Sequence, residues 1–339
     1  METKAWQFSE IGGPEGLTLV GDRLADPGPG EALVALRAIG LNRAELLYLA
    51  GRYIYQPPVP SFLGQEGVGE VIAVGPAIDG GAPAPAVGSR VALLAGRLDI
   101  GGMGAFRTAG LYSNEALLPV PESLSDAEGA ALWINALTAV GGLQAGGVTA
   151  AGADGRKVLV TAASSGVGVT ALQTAGAWGA ETVAVTTSPG KRESLRELAD
   201  HVVLADQMEE AIAELYGGSG VDLAFDPVGF ANAEVLTRIA SIDGGVVFYG
   251  IMAGSEASLD LVSMLRKDLG LHGFTIYRLL RRTELLAAAV AEIDALVASG
   301  ELKPIVAATF PFDQAPQALA ELAKNAHLGK IVVEVGSTS

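Results

Sequence analysis

The sequence predicts an α/β chain in which a small antiparallel β-barrel is joined to a doubly wound parallel sheet. Three observations predict it. Residues 1–125 are rich in Gly and Pro and break into short strand-like runs, the pattern of a small barrel with frequent turns. From residue 126 the texture changes to short apolar β-branched runs alternating with helical stretches, which reads as a parallel sheet with right-handed crossovers. After Gly270 come another strand, a long amphipathic helix and a closing strand–helix–strand.

Within the first part, Pro27-Gly28-Pro29-Gly30 is a turn, and Glu31 to Ile39 follows as a strand with Leu33, Val34, Leu36 and Ile39 as its apolar content. Asn42 to Gly51 reads as a short helix ending at glycine. Gly67–Gly75 and Ser89–Ala95 are further strands, and Pro76–Val87 is an Ala/Pro/Gly surface loop. Ser125-Asp126-Ala127-Glu128 opens a helix, because a serine followed three residues later by glutamate satisfies two orphan N–H groups reciprocally. Strands are then predicted near 157–162, 182–187, 202–204, 221–225 and 245–249. Helices are predicted near 167–178, 190–199, 207–216 and 230–240. The last part offers a strand at Leu271–Thr275 and a helix at Thr283–Ser299.

Composition narrows the function. A chain of 339 residues that is 50% hydrophobic and only 18% charged fits a well-buried enzyme rather than a disordered or fibrous chain. A formal charge of -16 argues against nucleic acid or an anionic membrane surface as the main partner. With no cysteine, disulfides and thiolate metal sites are excluded. The three histidines, His201, His272 and His327, are too far apart in sequence to resemble a metal-binding helix or loop, so no metal is expected. The start shows no basic stretch leading into an apolar one, and no apolar run spans a bilayer; the cytoplasm is the expected location.

The chemistry is written most clearly in Lys157-Val-Leu-Val-Thr-Ala-Ala-Ser-Ser-Gly-Val-Gly168. A buried strand passes through a turn of small residues, Ser164, Ser165, Gly166, Val167 and Gly168, into a helix predicted over Val169–Trp178. Such a turn presents unpaired backbone N–H groups and the positive helix end to an anion, and small side chains let a pyrophosphate come close. It reads as a dinucleotide cradle. A site preferring NADH would place Asp or Glu at the end of the second strand to accept from the ribose hydroxyls. This chain instead has Thr186-Thr187-Ser188-Pro189-Gly190-Lys191-Arg192, with no carboxylate until Glu193. Ser188, Lys191 and Arg192 would attract a 2′-phosphate, so the expected cofactor is NADPH. Alternatively, Lys191 and Arg192 decorate the first turn of an exposed helix, a position the helix dipole makes unfavourable for cations.

Taken together, a series of motifs resembles the medium-chain dehydrogenase/reductase superfamily, and within it the zinc-independent quinone oxidoreductase branch. They are Lys4-Ala-Trp6 with Gly12-Gly-Pro-Glu15, Gly40-Leu-Asn-Arg-Ala-Glu45, Gly51-Arg-Tyr53, Leu63-Gly-Gln-Glu-Gly-Val-Gly-Glu-Val71, Ala162-Ala-Ser-Ser-Gly-Val-Gly168, Phe225-Asp-Pro-Val-Gly229 and Gly329-Lys-Ile-Val332. The resemblance implies a GroES-like catalytic barrel (1–125) interrupted by a Rossmann domain that binds NADPH (126–270), with the chain returning to the barrel over 271–339. Zinc-dependent relatives carry His where this chain has Gln65 and Cys where it has Asn42. An amide is a poor replacement for either ligand. Without a Lewis acid, hydride addition to a quinone or a conjugated enone is easier than oxidation of a simple alcohol.

The same resemblance implies that Asn42, Tyr53 and Gln65 are neutral donors to the substrate oxygen, with Tyr48 and Tyr55 in reserve. Each has a plainer reading: Asn42 as a helix N-cap, Tyr53 as a rim aromatic against Pro57 and Pro58, and Gln65 as a polar residue with no part in the reaction. It further implies cofactor contacts for Thr138, for Phe248 and Gly250 in Phe248-Tyr249-Gly250, for Phe274 and Thr275 in Gly273-Phe274-Thr275, and for Asn325. Lys330 serves either the cofactor or a neighbouring strand. His272 and His327 read as structural, and Asp226 as the start of an Asp-Pro turn. The expected partners are a small quinone or enone and a second copy of the chain, paired through a sheet edge. Enoyl-thioester reduction is an alternative, with Arg278, Arg281 and Arg282 as a rim for an acyl carrier; those arginines read equally as a solvated helix start or a dimer contact. A crystallin-like protein that binds NADPH without turnover is the non-enzyme alternative.

Overall fold

In the computed structural model, which describes residues 1–336, the chain forms two units: Met1–Ile134 with Pro304–Ser339, and Asn135–Lys303. Both junctions lie later than the residues expected from the sequence, 125/126 and 270/271. Residues 126–134 stay with the first unit because the helix Asp126–Ala130 packs on that unit's central strands. Residues 271–303 stay with the second because its long helix is tied there: Trp178 Nε1 donates to Glu292 at 2.7 Å, and the Lys303 N–H donates to Gln173 at 2.7 Å. Residues 337–339, part of the expected final segment, lie outside the described residues.

The strands in chain order are β1 (Glu2–Phe8), β2 (Thr18–Arg23), β3 (Glu31–Gly40), β4 (Ser61–Phe62), β5 (Gly67–Val74), β6 (Arg90–Leu93), β7 (Ala109–Ser113) and β8 (Leu117–Pro119) in the first unit. The second unit supplies β9 (Lys157–Val160), β10 (Glu181–Thr186), β11 (His201–Leu204), β12 (Val221–Asp226), β13 (Ala240–Phe248) and β14 (Gly270–Gly273). The first unit is completed by β15 (Val306–Pro311) and β16 (Lys330–Glu334). The helices are α1 (Arg43–Leu49), α2 (Asp126–Ala130), α3 (Trp133–Ala145), α4 (Gly166–Ala177), α5 (Arg192–Arg196), α6 (Met208–Tyr216), α7 (Ala233–Ile239), α8 (Leu261–Lys267), α9 (Tyr277–Leu280), α10 (Thr283–Ser299) and α11 (Ala315–Ala323).

In the first unit the sheet order is β15-β16-β3-β5-β6-β8, with β7 also on β3, and a separate sheet runs β2-β1-β4. The pairings are antiparallel except β15–β16, which α11 joins by a crossover that a tight hairpin turn would not allow. Val34, Leu36 and Ile39 of β3 point into a core shared with Phe8, Leu63, Val71, Phe106 and Ile331. Capping at Ser125 is as the sequence implies: Ser125 N–H donates to Glu128 Oε2 at 2.8 Å, and Glu128 N–H to Ser125 Oγ at 3.2 Å.

The second unit holds one parallel sheet in the order β11-β10-β9-β12-β13-β14. Counted from β9 this is the order 3-2-1-4-5-6, which reverses direction between β9 and β12; in such sheets ligands bind at the carboxyl ends of the two strands flanking that reversal. Val158, Leu159 and Val160 are fully buried, as a central strand covered on both faces requires.

Candidate functional site

The candidate side chains gather in two places, one in each unit. The first is the turn after β9. Thr161 N–H still pairs with Phe225 O at 3.1 Å, after which the chain leaves the sheet through Ala162, whose φ of 45° is left-handed. Ser165 then caps α4, its Oγ accepting from Gly168 N–H at 3.1 Å. Nothing larger than hydrogen fits at two positions. A Cβ on Gly168 would stand 2.6 Å from Ala162 O, and one on Gly166 would stand 2.6 Å from Nδ2 of the buried Asn135. With no Cβ at these two positions, the backbone at the start of α4 stays open to close approach, as an anion cradle needs.

Lys191 and Arg192 begin the short helix after β10. Lys191 is half-buried and reaches back to the turn, its Nζ donating to Ser164 Oγ at 2.9 Å, and loss of solvation lowers its pKa. Arg192 is also half-buried, and its Nε has no hydrogen-bond partner among the described residues. Ser188 is held by its own N–H, which donates to Thr186 Oγ1 at 3.1 Å, while Thr187 is exposed. The Lys191 and Arg192 side chains are thus partly withdrawn from solvent. Of the two cations, Lys191 reaches the small-residue turn.

Asp226, at the end of β12, does more than start a turn. Its fully buried carboxylate accepts from Thr161 Oγ1, from Gly229 N–H at 2.6 Å and from Asn232 Nδ2 at 2.7 Å. Burial raises its pKa in spite of those bonds. The strand ends β9 and β12 are thereby locked together where the sheet order reverses. Gly250 lies under the same loop, because a Cβ there would meet Pro227 O at 2.7 Å.

Of the remaining predicted contacts in this unit, Thr138 is 8% exposed on α3 and Phe248 is half-buried at the end of β13. Phe274 is a packing residue: its ring fills the space that Gly141 leaves on α3, where a Cβ would come within 2.6 Å of it. Thr275 beside it is exposed, as are Arg278, Arg281, Arg282 and His272. Asn325 belongs to the other unit, where it accepts from Arg43 through its Oδ1.

The second place is a polar knot in the first unit, around the start of α1. Glu66 is 2% exposed and Lys330 3%, and Lys330 Nζ donates to Glu66 Oε1 and, at 2.6 Å, to Asn42 Oδ1. Asn42 Nδ2 donates to Glu66 Oε1 at 2.9 Å, and Glu66 Oε2 takes the Ile134 N–H at 3.1 Å from the first turn of α3. Asn42 does sit at the N-cap position of α1, yet its amide is spent on Lys330 and Glu66. Lys330 therefore serves its own unit's interior.

Glu45, 1% exposed, completes the knot. Its Oε2 accepts from Asn42 N–H at 2.7 Å and its Oε1 from Gln65 N–H at 3.1 Å. Burial, with the like charge of Glu66, pushes its pKa up to about 7, although Lys330 pulls the other way. Gln65 is 5% exposed, and its Oε1 accepts from Tyr53 OH at 3.4 Å. Its Nε2 makes no hydrogen bond among the described residues, so with the amide oriented this way it remains a free donor. Burial and then the Glu45 charge push the Tyr53 phenol up to about 12, which keeps it a neutral donor. Tyr48 is committed to Ser61 Oγ at 2.9 Å, and exposed Tyr55 stacks edge-on to Tyr53 at 5.8 Å. Sequence reasoning passed over Glu45 and Glu66. Glu45 was findable from its place three residues after an N-cap, but nothing in the sequence pairs Glu66 with Lys330 across 264 positions.

Comparison with known proteins gives matches along most of the chain. A family model described as alcohol dehydrogenase GroES-like domain covers residues 28–122, and one described as zinc-binding dehydrogenase covers 198–333. A quinone oxidoreductase of Pseudomonas aeruginosa is 30% identical over 97% of this chain and 99% of its own length. The human synaptic vesicle membrane protein VAT-1 homolog is 28% identical over 91% of this chain and 80% of its own. Among solved structures, an Escherichia coli quinone oxidoreductase complexed with NADPH superposes with a TM-score of 0.86 at 27% identity, covering 98% of this chain and 99% of that one.

Proposed function

Because the chain belongs to the quinone oxidoreductase branch of the medium-chain dehydrogenase/reductase superfamily, we propose that it is a metal-free, NADPH-dependent reductase of quinones or α,β-unsaturated carbonyls. The observation that carries the cofactor is the approach of Lys191 to Ser164 at 2.9 Å beside a turn closed to every side chain larger than hydrogen at Gly166 and Gly168. Lys191, Arg192 and Ser188 would hold the 2′-phosphate by charge-assisted bonds, and no carboxylate stands among them to repel it. The backbone N–H groups at the start of α4 that Ser165 does not take would hold the pyrophosphate.

Bound NADPH would supply a hydride to an electron-poor carbon of the substrate. The electron pair displaced from that carbon moves onto the conjugated oxygen, where donors aimed at the developing charge lower the barrier. Gln65 Nε2 is the free donor of the knot, and the Tyr53 phenol orients it by donating to its Oε1. A proton from solvent completes the hydroquinone or the saturated carbonyl, so each turnover consumes one hydride and one proton. Support for the metal-free reading lies in the donor set: amides at positions 42 and 65, no thiol in the chain, and Asn42 already engaged by Lys330 and Glu66. We also infer a cytoplasmic homodimer joined at an edge of the parallel sheet, where β14 is one of the two unpaired edges.

The test is a screen of quinones, enones and simple alcohols, read by NADPH consumption or NADP⁺ reduction. Turnover of quinones or enones with NADPH supports the reading; turnover of simple alcohols alone overturns it.

A further inference from the structure

The knot around α1 holds two buried carboxylates, Glu45 and Glu66, and one ammonium, Lys330. The ammonium hydrogen-bonds Glu66 and Asn42 and acts on Glu45 through its charge, so two buried carboxylates share one cation. Glu45 is the carboxylate bonded to the Gln65 backbone at 3.1 Å. We propose that Glu45 is a positioning residue whose protonation switches the Gln65–Tyr53 donor pair between a strong and a weak state. The inference rests on the reading of Gln65 as the donor to the substrate oxygen.

Two effects work in the same place. Through its bonds to the N–H groups of Asn42 and Gln65, Glu45 fixes where the Gln65 side chain starts, whatever its charge. Through its charge it acts on the oxygen that Gln65 binds. Hydride addition places negative charge on that oxygen, and an ionised Glu45, desolvated and sharing its one cation with Glu66, repels it. A neutral Glu45 does not. The other groups facing Glu45 are Glu66, Lys330, Asn42 and Tyr53, and none supplies a second cation. On α11, which also packs on α1, Glu321 and Lys324 pair with each other at 2.6 Å. Ionisation of Glu45 near neutrality, for which its burial and the Glu66 charge provide the cause, puts this switch inside the working pH range.

The experiment measures kcat for a simple naphthoquinone at saturating NADPH between pH 5.5 and pH 9, for the wild-type chain, Glu45→Gln and Lys330→Met. The wild type is expected to lose roughly tenfold in kcat as pH rises through about 7, the effect of one like charge at several ångströms in a partly buried site. Glu45→Gln, neutral throughout, should keep the low-pH rate with no fall. Lys330→Met, which removes the cation that favours ionised Glu45, should move the fall to higher pH. An unchanged fall in Glu45→Gln overturns the proposal, and so does an unmoved midpoint in Lys330→Met. If Glu45→Gln does not fold, infrared titration of the cofactor-free chain decides. A protonated-carboxyl band lost near pH 7 in the wild type and at higher pH in Lys330→Met supports the proposal, and its absence above pH 6 overturns it. Absence of quinone turnover by the wild type at every pH overturns instead the functional reading beneath it, and the infrared titration still reports on Glu45.

Discussion

Lys191 Nζ and Ser164 Oγ meet at 2.9 Å, so the cation following the second strand of the parallel sheet rests on the turn following the first. On the proposed reading, cofactor choice rests on Lys191 and Arg192. Replacing Lys191 and Arg192 together by Ala should weaken NADPH binding by about 2–4 kcal/mol through lost charge-assisted bonds, and leave NADH binding nearly unchanged. Fluorescence titration with both cofactors measures it, and equal losses for the two would dismiss the phosphate assignment.

Helix α4 offers two glycines with opposite expectations. Gly168→Ala drives a Cβ to within 2.6 Å of one backbone carbonyl oxygen and 2.7 Å of the next, and should cost about 1–3 kcal/mol. Gly176→Ala, in the same helix with nothing within 4 Å, should stabilise by about 0.5–1 kcal/mol. Urea unfolding of the two variants reads the contrast.

Stability should depend on pH through Glu45. Its pKa in the fold, pushed up to about 7 by burial, lies above the ordinary glutamate value of 4.5, so the fold binds a proton more tightly than the unfolded chain. The stability this contributes is complete below pH 4.5 and is lost as pH rises through about 7. Glu45→Gln should therefore flatten the decline of the urea midpoint between pH 5 and pH 7.5. An identical slope in variant and wild type would show that Glu45 ionises normally.

Tyr53→Phe removes the hydrogen bond that orients Gln65. Turnover of an enone should fall roughly 10- to 100-fold with little change in NADPH affinity. An unchanged rate would retire Tyr53.

The purified chain should contain no stoichiometric zinc by elemental analysis, and chelators should not slow it. One zinc per chain would end the metal-free mechanism.

What could be read from the sequence was whatever is local. The strands of the parallel sheet follow from short apolar runs, the turn at 163–168 from its small residues, and α10 from its period, matched at Thr283–Ser299. The family motifs supplied Tyr53 and Gln65. Side-chain allegiances that span the chain could not be read. Asn42 is a donor by position and a partner of Lys330 by contact, because a residue 288 positions away claims its carbonyl oxygen. Phe274 lies in a motif that suggests a ligand, but the glycine opposite it on α3 makes it core. The placement of 271–303 was missed for a similar reason, since an amphipathic helix shows that it has a buried face and not which sheet covers it.

The pairing of β16 with β3 has a consequence for biosynthesis. Val332, Val333 and Glu334 sit opposite Gly40, Ile39 and Ala38, and Lys330 from the same strand supplies the knot's ammonium. A ribosome releases the six strands of the parallel sheet as one uninterrupted stretch, and that unit can close while translation continues. The first unit cannot: β3 lacks this strand partner, and Glu66 lacks its cation, until β16 has been made. The polar knot is thus completed only after the whole parallel sheet has been synthesised, and a chain stalled before β16 would carry a finished parallel sheet with an unfinished first unit.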